Sequence, residues 1–152
     1  LCDPSKFESI KKINTTIKKR DFWMPFTPSI LKKFATKYVL NPKNIPSNFM
    51  TTCFDTTEIG KKHLKAAIHP YDFTVRPQIV TKQTCPAYYM LIEKFYKKTG
   101  IGGLLNTSLN IHDKPIVCQP LDIVNEILKN NNKAINYIYV QDTLYKRKNK
   151  NL

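Results

Sequence analysis

Apolar positions along this chain recur at two spacings, one helical and one strand-like, and the two alternate. Phe7, Ile10, Ile13 and Ile17 fall on one helical face behind Ser5, so "DPSKFESIKKINTTIKK" predicts a helix capped by Ser5 that ends near Thr15. "RDFWMPFTPS" holds two prolines and three aromatics and predicts a loop or irregular extended segment. Ser29 is placed to cap a short helix, "ILKKFATKYV", and "NPKNIPSN" predicts a surface loop. "FMTTCF" alternates bulky and β-branched residues between turn residues and predicts a strand.

"TTEIGKKHLKAAI" mixes helix and loop signals, and "HPYDFTVRPQIV" ends in a short β-like run. The strongest helical pattern is "CPAYYMLIEKFYKKTG". Pro86 suits the first turn, Tyr89, Ile92, Phe95 and Tyr96 form the apolar stripe, and Gly100 stops it. A strand over "IGGLLNT" follows, then a turn through "NIHDKP" and the run "IVCQ". Pro120 and Asp122 start a helix over "LDIVNEILKN", and "AINYIYVQD" is the last predicted strand. There are no internal repeats and no linker. The pattern predicts one α/β domain of the α+β type, with short strands and packed helices, over residues 1–152.

Composition changes this picture little. A chain of 152 residues can bury one real core, and 41% hydrophobic with 24% charged residues reads as globular. No apolar run approaches the roughly 20 residues a membrane helix needs. The chain opens on Leu1 and reads as a fragment or a processed product. The net charge is +14, yet only Arg20, Arg76 and Arg147 among the 25 basic residues are arginines. Lysines are spread along the chain, which suits a solvated surface better than a nucleic-acid stripe. The tail "YKRKNKNL" reads as a loose basic end. Cys2, Cys53, Cys85 and Cys118 form no C-x-x-C pair and predict reduced, partly buried thiols in a cytoplasmic protein.

Candidate chemistry is sparse. No Walker-type phosphate loop, G-x-G-x-x-G, H-E-x-x-H or G-x-S-x-G occurs, and His63, His69 and His112 lie in unrelated contexts, so no metal site is expected. Gly102 and Gly103 read as a close backbone approach in a strand. What remains is a set of anion-holding side chains at chain irregularities. Lys18 and Arg20 are two apart and share a face if the segment is extended. Arg76 stands in the polar stretch "DFTVRPQ", and Ser108 and Asn110 are two apart at a strand end. Cations plus a hydroxyl and an amide suit a triphosphate or an acyl phosphate. From composition alone, a solvated charge pair and an ordinary turn explain these residues as well.

Three segments carry a resemblance. "LCDPSKFESIKKINTTIKKRDFWMPFTPSIL" is similar to "ADPR…N…VKGRExWRPFAPSVL" of the O-carbamoyltransferases, the nodulation-protein and antibiotic-tailoring type. "HPYDFTVRPQIV" resembles their "HVDGTARxQTV". "YYMLIEKFYKKTGIGGLLNTSLNIHDKPIVCQPLDIVNEI" resembles "FYxLLxxFxxxTGxPVLLNTSFNxxGEPIVxTPEDAI". The three occur in order and at the family's spacing over nearly the whole chain. This chain departs at "KRD" for "GRE", at Met24 for an arginine, and at Phe73 for a glycine.

The resemblance implies the carboxy-terminal, YrdC-like domain of such an enzyme: a twisted mixed sheet with packed helices, truncated at its amino end. A "GPRALGNRSI" stretch and a sugar-kinase-like transfer domain would precede it. It implies a carbamoyltransferase that forms carbamoyl-adenylate from carbamoyl phosphate and ATP with Mg²⁺, iron being expected only in the preceding domain. By that resemblance Lys18 and Arg20 take the K-x-R positions, Ser108 and Asn110 the S-x-N positions, and Arg76 the arginine of "GTARxQ". These five would be catalytic and would hold nucleotide, with Asn106 and Thr107 supporting the strand end and His69 and Asp72 lining the site. Alone, the chain is expected to bind nucleotide weakly and to be inactive. The preceding domain is the expected partner, with neither membrane nor nucleic acid. Alternatives are a basic RNA- or DNA-binding module, or the threonylcarbamoyl-adenylate chemistry of tRNA modification on the same fold.

Overall fold

The computed structural model describes residues 1–18, 21, 24–128 and 135–147. Helix α1 (Phe7–Ile13) runs directly into a π-helical turn, Asn14–Lys18. The expected helix therefore continues past Thr15. Thr15 Oγ1 donates to the Lys11 carbonyl at 2.8 Å and Thr16 Oγ1 to that of Lys12. Such side-chain bonding to the preceding turn bends helices, which accounts for the wider turn here. Ser5 does not cap α1 through its own acceptor. Its hydroxyl and N–H both donate to Asp3 Oδ1, at 2.7 and 2.9 Å, so Asp3 organises the entry.

The described residues divide into two compact units. One contains Leu1–Ile10 and Phe22–Thr107, the other Lys11–Asp21 and Ser108–Leu152.

The first unit is built on a mixed three-stranded sheet. Strand β1 (Thr27–Leu31) leads through a 3₁₀ turn to α2 (Ala35–Tyr38) and on to β2 (Val39–Leu40). Next come β3 (Asp55–Thr56), α3 (Glu58–His63), β4 (Gln78–Val80), α4 (Pro86–Thr99) and β5 (Gly103–Asn106). The sheet order is β4-β1-β5, with β1 parallel to β4 and antiparallel to β5, while β2 and β3 pair separately. The fold is α+β.

Two sequence expectations are overturned here. Ser29 lies in mid-strand, fully buried, and its hydroxyl donates to Gln78 Oε1 at 2.7 Å instead of capping a helix. Pairing on both sides decides this, because tertiary pairing outweighs the local cap signal of a serine before an apolar run. "FMTTCF" forms no strand; Phe54 alone bridges to Val75, and the pairing shifts to Asp55–Thr56.

Helix α4 agrees with its sequence pattern. Pro86 stands at its start, Gly100 ends it at φ 73°, and Ile92 is fully buried. Leu31, Val80, Ile92 and Leu104 form one core cluster, with Phe34, Tyr88, Tyr89 and Phe95 packed on it. A second cluster joins Ile30, Tyr38, Val39, Phe54, Leu64, Ile68 and Val75. A Cβ on Gly102 would stand 2.1 Å from the Phe34 ring, and one on Gly103 3.0 Å from the Ser29 carbonyl oxygen. The paired glycines are there because neighbouring groups occupy that space. The buried Tyr38 hydroxyl accepts the Gly102 N–H at 2.9 Å and lies 3.2 Å from His63 Nδ1.

The second unit holds α5 (Pro120–Asp122), which continues as a π-helical stretch to Leu128, and a hairpin of β6 (Tyr137–Val140) and β7 (Thr143–Lys146). Asp122 Oδ2 accepts the N–H groups of Cys118 and Gln119, and these bonds hold its carboxyl below the usual range. The expected last strand is thus the first arm of a hairpin. Gln141 (φ 47°) and Asp142 (φ 61°) both take the left-handed region, as a two-residue turn of this twist demands. Tyr145 and Lys146, expected in a loose tail, pair with Ile138 and Tyr137. Three of the four cysteines, Cys53, Cys85 and Cys118, are exposed rather than partly buried, and all four are free. Among the described residues no helix is long and apolar enough to cross a membrane.

Candidate functional site

Lys18 ends the π-helical turn, and that placement governs its environment. A helical turn aims its side chain, and the residue is 4% exposed. Lys18 Nζ donates to Ser108 Oγ at 2.9 Å and to Asn110 Oδ1 at 2.5 Å. Ser108 Oγ in turn donates to Asn110 Oδ1 at 2.7 Å, closing a ring of three side chains. The main chain adds a tie, since the Lys18 carbonyl accepts the His112 N–H at 3.0 Å. Asn110 Nδ2 donates to the Lys114 carbonyl at 2.8 Å, which fixes the amide with its oxygen toward the cation. Three of the expected residues therefore meet, although Lys18 is 90 and 92 positions from Ser108 and Asn110. Arg20 lies outside the described residues.

The ring's chemistry is that of an anion holder. It offers an ammonium and a hydroxyl, with Ser108 exposed at its edge, and none of its three side chains is a carboxylate. A bare divalent cation would find little there, whereas a phosphate oxygen would find donors. Among the described residues no group of three or more His, Cys, Asp or Glu side chains could hold a metal ion.

The other expected residues belong to the first unit. His69 and Arg76 line one cavity of about 230 Å³, together with Phe26, Thr27, Cys53 and Thr74. His69 Nδ1 stands 3.0 Å from Asp72 Oδ1 and 3.5 Å from the Asp72 backbone nitrogen. Asp72 Oδ1 also accepts the Thr74 N–H at 2.9 Å. That backbone bond, with His69 as a lesser contributor, holds the Asp72 carboxyl below its ordinary range. The loop closes through Phe73 N–H to the His69 carbonyl and His69 N–H to the Thr74 carbonyl, at 3.1 and 2.8 Å. Phe73, which stands where the resembled pattern has glycine, takes φ 58°. Lys61 Nζ lies 5.2 Å from its ring centroid, and Thr56 Oγ1 donates to its carbonyl at 2.6 Å. The chain thus keeps a left-handed residue here without glycine.

Asn106 ends β5 opposite Thr27, and its amide donates to Ser29 Oγ at 3.3 Å. It links the strand end to the Ser29–Gln78 pair, of which Ser29 is buried, and Thr107 follows it half-buried. Thr27, Cys53 and Thr74 are cavity-lining residues that sequence reasoning missed. Only Thr74 had a signal, since it flanks Arg76 within the same polar stretch.

The sequence model of the family described as "Carbamoyltransferase C-terminus" matches residues 1–147. An uncharacterized protein of Methanocaldococcus jannaschii is 41% identical over 126 residues, covering 83% of this chain and 24% of its own length. Nodulation protein NolO of Bradyrhizobium diazoefficiens is 36% identical, covering 84% of this chain and 23% of its own. Nodulation protein NolNO of Sinorhizobium fredii is 35% identical, with 84% and 19% covered. The chain spans about a quarter or less of the length of these curated relatives.

Proposed function

Because this chain belongs to the carbamoyltransferase C-terminal family, we propose that it is the adenylate-forming part of an O-carbamoyltransferase, working in the cytoplasm beside an amino-terminal sugar-kinase-like domain that chooses the hydroxyl acceptor. The observation that carries the reading is the ring of Lys18, Ser108 and Asn110, a built anion holder assembled from two distant segments. The balanced reaction has two parts. Water converts carbamoyl phosphate to carbamate and inorganic phosphate. A carbamate oxygen then attacks the α-phosphorus of ATP, and pyrophosphate leaves.

Little covalent work falls to the protein in such a displacement. Positioning and neutralisation of charge carry the rate. Lys18 offsets charge on phosphate oxygens, and Ser108 donates to them once its hydroxyl turns from Asn110. Asn110 orients the Lys18 ammonium through its oxygen, while its amide nitrogen donates to the Lys114 carbonyl. Arg76, beside His69 in the cavity of its own unit, offers a guanidinium to an anion there. Arg20, Asn106 and Thr107 belong to the same proposal through their family positions. Mg²⁺ bound with ATP would supply further neutralisation between the phosphates. On this reading the chain alone binds nucleotide weakly and completes no transfer.

The test is pyrophosphate release from ATP by the complete protein, measured with and without carbamoyl phosphate. Release that depends on carbamoyl phosphate and is abolished by Lys18→Ala or Asn110→Ala, with the circular-dichroism spectrum unchanged, is the expected result. Undiminished release in both variants defeats the reading. Salt-sensitive RNA binding that survives Ser108→Ala, without any pyrophosphate release, would favour a basic nucleic-acid module instead.

A further inference from the structure

The first unit contains a second and larger cavity. Its volume is about 550 Å³, against about 230 Å³ beside Arg76. Small-molecule sites span roughly 300–1,000 Å³. The two cavities belong to opposite ends of β1. Thr27, the first residue of that strand, lines the Arg76 cavity, whereas Lys32, the residue just past its end, lines the larger one. Five extended steps place these two residues roughly 16 Å apart.

Strand pairing builds one wall. β1 runs parallel to β4 with Leu31 beside Val80, so Lys32 and Thr81 leave the sheet together at the carboxyl ends of the two strands. The crevice outside such ends is where open α/β sheets hold their ligands. Val39 and Phe54, both buried, and the half-buried Ile79 supply an apolar surface. Thr36, Asn48, Thr81 and Thr84 add hydroxyls and an amide, and the last two hydroxyls stand 2.9 Å apart. The loop over residues 41–48 forms a further wall and is pinned at both ends. Asn41 bonds Ile45 through both atoms of its amide, at 2.8 and 2.9 Å. Buried Ser47 donates its hydroxyl to the Pro77 carbonyl at 2.6 Å, and its own carbonyl accepts the Ile79 N–H at 2.7 Å. The protein's own bonds therefore hold the cavity's shape.

Charge and surface type select the occupant. Lys32 is the one charged side chain among the described lining residues, and none of them is acidic. Its neighbour Lys33 pairs with Glu93 at 2.7 Å, while among the described residues no carboxylate pairs with Lys32. A cation, neutral hydrogen-bonding groups and an apolar surface with an aromatic ring match three parts of one kind of molecule. A phosphate answers Lys32, sugar hydroxyls answer the threonines and Asn48, and a flat base answers Phe54 and Ile79. We propose that this cavity binds a nucleoside monophosphate, at a site that shares no residue with the Lys18 ring or the Arg76 cavity. The proposal does not rest on the adenylate chemistry.

The test is titration calorimetry of the complete protein with adenosine 5′-monophosphate, in a Lys18→Met background so that the proposed catalytic ring contributes nothing. Adding Lys32→Met should weaken binding at least tenfold. Adenosine, which lacks the phosphate, and inorganic phosphate, which lacks the rest, should each bind at least tenfold more weakly than the nucleotide. Absence of binding, equal affinity with and without Lys32, or inorganic phosphate binding as tightly as the nucleotide overturns the proposal. Loss of binding in Arg76→Ala with Lys32→Met neutral overturns it too, by assigning the nucleotide to the other cavity. Independently, in the unaltered protein, adenosine 5′-monophosphate should slow amide exchange across residues 41–48 and 81–85. Unchanged exchange there defeats the proposal even if the Lys18→Met background fails to fold. Neither readout needs turnover, so failure of pyrophosphate release would leave this site standing, and the reverse holds too.

Discussion

In the sheet-bearing unit Ile30, Leu31, Tyr38, Leu64 and Ile92 are wholly buried and pack in two apolar clusters. In the unit that carries Lys18, the buried side chains among the described residues are Ile13, Asn14, Lys18 and Ile123. The first unit is ordered by apolar burial. The second relies far more on polar ties: the Lys18 ring, the Asn110–Lys114 link and the Asp122 bonds to Cys118 and Gln119. The contrast teaches that Lys18, Ser108 and Asn110 are carried by segments whose order depends on hydrogen bonds. Damage to them should register in chemistry before it registers in melting.

The most severe test of that contrast is Leu31→Ala. It empties space among Val80, Ile92 and Leu104 and should cost about 2–5 kcal/mol, read as a drop in Tm and in denaturant midpoint. A loss near zero would mean the sheet is not the stable half. Next comes Lys18→Met in the complete protein. Carbamoyl-phosphate-dependent pyrophosphate release should fall about 10²–10³-fold, the loss typical of one preorganised charge-stabilising donor, while Tm moves by only a few degrees. Collapse of the fold instead would make Lys18 a structural residue and erase the contrast.

Gly102→Ala should cost about 1–3 kcal/mol, because the new methyl meets the Phe34 ring and neither β5 nor the 3₁₀ turn can withdraw freely. Phe73→Gly tests the sheet unit's own loop. Removing a left-handed conformation worth about 1–2 kcal/mol should offset the lost Lys61 contact, leaving Tm equal or higher. A clear drop would show that the ring matters more than the backbone.

The smallest effect is a pH effect. Burial, with Lys37 and Lys62 nearby, lowers the pKa of His63, so the folded state prefers its neutral form. The folded protein therefore binds fewer protons here than the unfolded chain. The contribution is fully present above the unfolded value near 6.5 and is lost as pH falls from there through the lower folded value. Tm should decline slightly between pH 7 and pH 5.5, and His63→Gln should flatten the decline.

Legibility in the sequence followed the locality of the signal. Helix α4 was readable because Pro86, its stripe and Gly100 all lie within one segment. The glycine pair was readable because close approach leaves few other residues possible. Ser29 misled because its partner Gln78 is 49 positions away and outweighs a local cap. The hairpin was half-read because Gln141-Asp142 supplies a left-handed turn without the glycine that normally announces one. At the candidate site, residue types were legible and geometry was not. Ser108 and Asn110 stood out by spacing, yet their convergence on Lys18 depends on a π-helical turn that no periodicity argument anticipates. The cavity residues Thr27 and Cys53 carried no local mark at all.

The His69–Thr74 loop has one more consequence. Its two main-chain bonds and the Asp72 contacts fix its shape from within the loop. A ligand entering the cavity beside Arg76 would meet a rigid rim and would have little backbone entropy to freeze out. Affinity differences among ligands of this cavity should then appear as differences in residence time, with association rates nearly constant across the series.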